Sequence, residues 1–517
     1  MRRRTSGQWA ACLRTSALGI AVGLATAQAA ADTNGPDKPP GDQTPRASID
    51  FLDTRVIEHA YFLDRVVTPA RKHESNPIIA DCHSAQTVLR GDDGRLRMWY
   101  VTRRKIPGHT GSAREYTLRH AESTDAVTWD MPTLGLKEFD GSTSNNVLLT
   151  ADDTDIEGRE ITGVRGAENF CVIDNQRTPG PHTRGRYTAL IGEGSFLYSD
   201  DGLRWQAYPE NPVLDLAGSD TYNNFLFDTG IGRYVLYHRP HPRIHAGHPR
   251  ANRLVARIES DDLVEWDWGS ARCVLDTDGR DAPAFSEAND ARGRDLQFYG
   301  MTVTQYHGLY LGFANLLNEV TGRMDVRLVH SFDGLEWHRE PNDQPFIEAT
   351  ADAWDCGTIG WVSKGSPLAV GDDLHFYYGG TNMTHNYKIM NDEGTLKMRL
   401  GLGVVKRGRL VGYHAGAAEG QLLTRPFTLS GRRLTLNVDA RGGEVKAALA
   451  DEEGRAIPGC SMGEAVPIRE DGLDVPARWE GRADLTDLVG QRIRLRISAE
   501  DAKLYGLSME DKEADLE

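Results

Sequence analysis

The chain has 517 residues, 39% of them hydrophobic and 26% charged, with 6 cysteines. That balance excludes disordered, collagen-like and disulfide-stapled chains and allows one to three domains at roughly 150 residues each. Lys and Arg number 59 against 75 Asp and Glu, a net charge of −16. This argues against nucleic acid as a partner, because neutralising phosphates needs a basic face.

Residues 1–31 read as a secretory signal peptide. Arg2, Arg3 and Arg4 form a positive start, Ala17–Ala25 is apolar, and Ala27-Gln28-Ala29-Ala30-Ala31 offers a cleavage site. Its removal takes away four arginines and no acid, leaving a mature charge of −20. The expected location is secreted or periplasmic. The apolar run is too short to span a bilayer and no later segment reaches about 20 residues, so membrane insertion is not expected. Residues 32–49, rich in Pro, Gly and charge, are expected to form a disordered leader. The five remaining cysteines are odd in number and lack CxxC spacing. No zinc site is expected, most of these thiols read as small buried hydrophobes, and one bridge is allowed without an assignable pairing.

From residue 50 onwards the chain reads as strand. Leu96–Val101, Tyr187–Ile191, Tyr234–His238 and Leu309–Phe313 are short β-type runs, and turn signals such as Asp-Asp-Gly at 92–94 and 200–202 recur between runs. Four copies of S-x-D-x-x-x-W begin at Ser123, Ser199, Ser260 and Ser331, at intervals of 76, 61 and 71 residues. The spacing predicts a turn between the two outer strands of successive propeller blades, with Ser and Asp bonding backbone N–H groups and Trp packing between blades. These aspartates are structural on this reading. A fifth unit, from Asp355 to Val405, lacks the signature. Five blades are therefore expected over 50–415. A β-sandwich is expected over 422–510, with Trp479 and Tyr505 in its core, and residues 511–517 form an acidic tail.

In an antiparallel blade the start of the innermost strand and the loop from second to third strand share one face. An acid lies near each inner-strand start: Asp81, Glu168, Asp220, Asp295 and Asp355. Two or three carboxylates around one axis can act as acid and base, or as acid and nucleophile, on a glycosidic bond. The second-to-third loops add Arg103-Arg104-Lys105, then Arg239, Arg243 and Arg250 amid three histidines, and finally Arg323, His385 and Lys388. The histidines are irregularly spaced between prolines, which disfavours a metal site. The cations suit an anionic glycan bound by Arg.

Five blades, turns such as SDDLVEW (260–266), axial acids and a C-terminal sandwich resemble the five-bladed propeller glycosidases, glycoside hydrolase families 32, 43, 68 and 130, with family 32 nearest in architecture. The resemblance implies a hydrolase with catalytic acids on the first three blades, by position Asp81, Glu168 and Asp220. It leaves Asp295 and Asp355, with Arg103, Arg104, Arg239 and His385, for substrate binding. His385 is also similar in place to an axial histidine of family 43. No cofactor is expected, and a structural cation at the axis is allowed. The chain departs from family 32 at each motif: Ala80-Asp81-Cys82-His83, Gly166-Ala167-Glu168-Asn169 and Ser219-Asp220-Thr221-Tyr222 replace N-D-P-N, R-D-P and E-C. The roles of the individual carboxylates, and the sugar, stay open. A non-catalytic glycan-binding propeller, with Tyr222, Trp354 and Tyr387 stacking on sugars, is the alternative. A sialidase would need six blades, an arginine triad and a tyrosine nucleophile.

Overall fold

In the computed structural model the described residues are 48–105, 114–150, 153–161, 169–192, 194–214, 216, 222–239, 253–281, 295–385, 396–482 and 484–511. Among them the regular elements are β-strands and short 3-10 turns, and no helix is long and apolar enough to cross a membrane. The expected signal peptide and most of the expected leader lie outside the described residues, as does the tail beyond Asp511.

Five four-stranded antiparallel units follow one another. The first four are continuous in sequence: Ser84–Arg90 to Val147–Leu149, Cys171–Asp174 to Gln206–Ala207, Asn224–Asp228 to Trp266–Leu275, and Leu296–Tyr306 to Trp337–Arg339. The fifth takes Thr358–Gly360, Asp373–Thr381 and Met398–Lys406 from late in the chain, and its outer strand is Arg71–Lys72, paired with Val404 and Gly403. Inner strands bond to inner strands around a closed circuit. Phe170 and Val172 N–H groups donate to the Gln86 and Thr87 side chains at 3.1 Å each, and Asn223 N–H to Asn169 Oδ1 at 3.0 Å. Val303 N–H donates to Asn224 Oδ1 at 3.0 Å, the Thr302 hydroxyl to Val362 O at 2.7 Å, and Lys364 N–H to Gln86 O at 3.0 Å. This is a β-propeller, and its radial closure removes long free edges.

The repeated motif does in space what its spacing predicts. In all four copies the first backbone N–H after the Asp donates to the Ser hydroxyl at 2.8–3.0 Å, and the next two donate to the Asp carboxylate at 2.7–3.0 Å. Burial opposes ionisation of Asp125, but the N–H groups of Val127 and Thr128 and the hydroxyls of Thr128 and Ser123 hold its carboxyl down to about 2. The residue after each Asp has positive φ: Ala126 66°, Gly202 74°, Leu263 71° and Gly334 73°. Each Trp packs on the preceding blade, three of them on its second strand and Trp266 on its third, with ring centroids at 5.5 Å (Trp129–Tyr377), 6.4 Å (Trp205–Trp99), 6.1 Å (Trp266–Phe196) and 5.9 Å (Trp337–Tyr237).

The remaining strands form two antiparallel sheets of six and five strands, and their buried faces contribute to one apolar cluster that includes Leu436, Val445, Trp479, Leu495 and Leu507. Tyr505 is buried as well. Three early strands join these sheets, which corrects the expected boundaries at 50 and 422. Ser48–Asp50, expected in part as leader, pairs with 506–508, Ile57–Tyr61 with 421–424, and Leu63–Val67 with Val411–Ala415. Cys82, Cys171, Cys356 and Cys460 are buried thiols, and Cys273 is an exposed thiol; none of the five is in a disulfide.

Ring closure rests on a charged contact as well as strand pairing. Lys72 Nζ lies 2.5 Å from the Asp355 carboxylate and 2.6 Å from Thr350 Oγ1, and the Tyr378 hydroxyl donates to the same carboxylate at 3.0 Å. Removing one partner of such a pair strands a buried charge. Lys72→Met is expected to lower unfolding free energy by about 3 kcal/mol, read from denaturant midpoints at unchanged slope. A loss under about 0.5 kcal/mol, the range of ordinary surface changes, would remove this pair from ring closure.

Candidate functional site

Antiparallel pairing sets Ser84 against Val101, Asn224 against Tyr237, Leu296 against Asn318 and Thr358 against Thr381. Inner-strand starts and second-strand ends therefore share one end of the ring. A band of aromatic and cationic side chains gathers there. The His83 ring lies 5.2 Å from Trp361 and 6.2 Å from Tyr116. Tyr299 lies 6.2 Å from Trp361 and 5.3 Å from His385. The Arg239 guanidinium sits 4.5 Å over Tyr299 and donates to its carbonyl at 3.3 Å, and Arg253 sits 5.3 Å over the same ring. Arg103 lies 5.8 Å over Tyr116. Guanidinium over an aromatic face is an attractive arrangement that leaves the edge N–H groups for hydrogen bonding.

His83 is buried, and its Nδ1 is 2.9 Å from Ser84 Oγ. Burial, reinforced by the Arg103 charge, lowers its pKa to about 3, so the imidazole is neutral at physiological pH. Trp361 holds a left-handed backbone, φ 51°, and its ring packs over Gly379, where a Cβ would come within 3.2 Å of it. A bulky residue in that conformation is strained, and such residues cluster at binding sites. Beneath the band, Tyr222 crosses between blades. Its hydroxyl is 2.7 Å from Thr302 Oγ1 and donates to Val362 O at 3.0 Å. Gly300 admits it, since a Cβ there would lie 2.5 Å from that of Tyr222. Tyr222 is thus a buried plug, and its ring is not exposed for sugar stacking.

The expected site residues separate into groups. Arg103, Arg239 and His385 belong to the band. Asp81 is exposed immediately before the buried Cys82-His83 pair. Asp295 is buried at the same end, its carbonyl accepting from Glu319 N–H at 2.7 Å. Glu168 and Asp220 lie outside the described residues, as do Arg243, Arg250, Tyr387 and Lys388. Arg104 is exposed, paired with Asp140 at 2.8 Å and lying 4.4 Å from the Phe139 ring centre. Asp355 is a correction. It is 1% exposed and engaged by Lys72 and Tyr378, so it serves ring closure instead of substrate binding.

Several members of the site escaped sequence reasoning: His83, Arg253, Tyr299, Glu319 and Trp361. The Arg253 guanidinium bonds the Glu319 carboxylate and, at 3.3 Å, Gln297 Oε1. Glu319 follows the second strand of blade four. The parity rule that collected the loop cations would have found this acid had it been applied to both signs of charge. Among the described residues no group of three or more His, Cys, Asp or Glu side chains could hold a metal ion.

No protein-family model matches the chain, and no curated protein matches it. Solved structures with similar coordinates include a glycosyl hydrolase from Bacteroides ovatus, at 13% identity and TM-score 0.40, covering 67% of this chain and 95% of that one. A thermostable family-43 glycoside hydrolase has 15% identity and TM-score 0.35, covering 64% and 92%. The sucrose-6-phosphate hydrolase of Lactobacillus gasseri has 10% identity and TM-score 0.35, covering 84% and 89%.

The depressed His83 pKa has a definite sign in stability. Below the ordinary value near 6.5 an unfolded chain protonates this ring while the folded one does not until about pH 3. Its contribution therefore destabilises the fold progressively as pH falls from 6.5 to 3. His83→Gln is expected to reduce proton uptake on unfolding by about one proton in that window, read from urea midpoints at several pH values. Identical pH slopes for wild type and variant would show that His83 titrates normally.

Proposed function

We propose that this protein is a secreted or periplasmic glycoside hydrolase that cleaves an anionic poly- or oligosaccharide at the axial mouth of the propeller. The observation that carries the reading is the band of His83, Trp361 and Tyr299 with Arg239 and Arg253 stacked over Tyr299. His83, Trp361 and Tyr299 are buried and form the floor of this mouth, while the half-buried Arg103 and Arg253 keep guanidinium groups at the surface that can pair with carboxylate or sulfate. We read the two C-terminal sheets as the β-sandwich that accompanies such a propeller.

Hydrolysis needs one carboxylic acid to protonate the leaving oxygen and one carboxylate to activate water or to attack the anomeric carbon. We assign this chemistry to Asp81, Glu168 and Asp220, each at or just before an inner strand. Asp295 and Glu319 are the next carboxylates at the same end. His83 stays neutral between pH 5 and 8 and acts as a hydrogen-bonding wall. A carboxylate separation of about 5–5.5 Å would give retention of configuration and ~6.5–9.5 Å inversion.

Activity on a polysaccharide panel is expected to fall by at least ~100-fold, the low end for loss of a general acid or base, in Asp81→Asn, Glu168→Gln and Asp220→Asn with unfolding midpoints preserved. Wild-type rates in all three would overturn the assignment. Glycan binding without turnover in the wild type would make the protein a binding module.

The substrate's charge has its own test. A bidentate Arg–carboxylate or Arg–sulfate contact contributes about 1.5–3 kcal/mol. Matched anionic and neutral oligosaccharides should therefore differ by at least ~10-fold in binding or turnover, and the preference should shrink as salt screens it. Equal use of both, independent of salt, would reject an anionic substrate while leaving hydrolysis standing.

A further inference from the structure

Lys364 lies on the innermost segment of blade five. Its N–H donates to Gln86 O at 3.0 Å, and its carbonyl accepts from Val88 N–H at 3.0 Å, so its backbone is sealed to blade one. Its side chain is within electrostatic range of Cys171 on the inner strand of blade two. Blades five and two each adjoin blade one and do not adjoin each other, so this interaction reaches from blade five past blade one to blade two. The residue is 5% exposed, and its Nζ has no hydrogen-bond partner among the described residues.

Among the described residues the surrounding groups offer no negative charge. Cys171 Sγ donates to Phe225 O at 3.1 Å, and burial pushes its pKa up, so it is a thiol. The Gln86 amide is committed to Ser84 Oγ and to Phe170 N–H. The Tyr222 and Thr302 hydroxyls converge on Val362 O. Cys171 is the one titratable group, among the described residues, that acts on the amine. Burial lowers the Lys364 pKa. An ammonium desolvated to this degree is stable only with a counter-charge.

We propose that the propeller axis holds a small monovalent inorganic anion, of the halide class, bound to the Lys364 ammonium. The anion supplies the missing counter-charge and ties the side chain from blade five into the centre of the ring. It binds the folded ring and not the unfolded chain, so it stabilises by mass action.

The test compares thermal unfolding of the full chain in sodium chloride and in sodium gluconate at equal ionic strength, with crystals of wild type soaked in sodium bromide as a second measurement. Chloride is expected to raise the wild-type midpoint by ~2–5 °C at saturation, Lys364→Met to lose that difference, and an anomalous bromide peak to contact Lys364 Nζ. Equal wild-type midpoints in the two salts, or a chloride gain retained in Lys364→Met, would overturn the proposal. If Lys364→Met fails to fold, the bromide crystal decides alone: a peak at Nζ supports the site, and a map without one, as expected for a neutral amine, rejects it.

Discussion

Closure of the ring is the constraint from which the rest follows. Arg71–Lys72 forms the outer strand of the last blade, the His73 and Ile78 N–H groups that follow it bond the Leu402 and Leu400 carbonyls of that blade, and the chain then enters the first blade at Ser84. Without that strand, Met398–Lys406 would present an unpaired edge. The Lys72–Asp355 pair fixes the seam from the side. The contact between His83 of blade one and Trp361 of blade five crosses this same seam. The central contact of the aromatic band therefore exists only in the closed ring.

The same seam explains why five blades carry four copies of the turn motif. S-x-D-x-x-x-W joins a third strand to the fourth strand that follows it in sequence. In blade five the third strand is Met398–Lys406 and the fourth is Arg71–Lys72, so no turn connects them. Elsewhere the motif works across blades. Tyr377, Trp99 and Tyr237 donate to the carbonyls of Ala126, Gly202 and Gly334 at 2.7–2.9 Å, linking each turn to the blade before it. The left-handed conformation at those positions aims the carbonyl outward and explains glycine in two of the four copies.

The features legible in the sequence were local ones. Alternation and turn chemistry act within a few residues, so blades, turns and inner-strand starts could be read from residue order. Partner choice could not. Ser48 pairs with Ser508, and nothing within Ser48–Val67 distinguishes a strand of the C-terminal sheets from a first blade. Asp355 shows the same limit for a site residue. An acid before an inner strand reads alike whether it faces the mouth or meets Lys72, and only the fold brings that lysine to it. Glu319 was readable by parity. Tyr299 and Trp361 looked like ordinary strand aromatics until the cations stacked over one and the strained backbone under the other were seen.

A chain of net charge −16 carrying a cationic band at one end separates two electrostatic ranges. At physiological salt the field of distant charges decays within about 8 Å, so net charge governs solubility and long-range approach, while recognition depends on groups within contact distance. Arg239 and Arg253 are held by an aromatic face, and Arg253 also by the Glu319 carboxylate. That support orients the guanidinium planes before any ligand arrives and lowers the side-chain entropy lost on binding. Beyond them the Tyr222 hydroxyl bonds the Val362 carbonyl, and Lys364 is buried on the innermost segment of blade five. The positive potentials of Arg239 and Arg253 therefore add for a ligand brought near the Tyr299 ring that both of them cover.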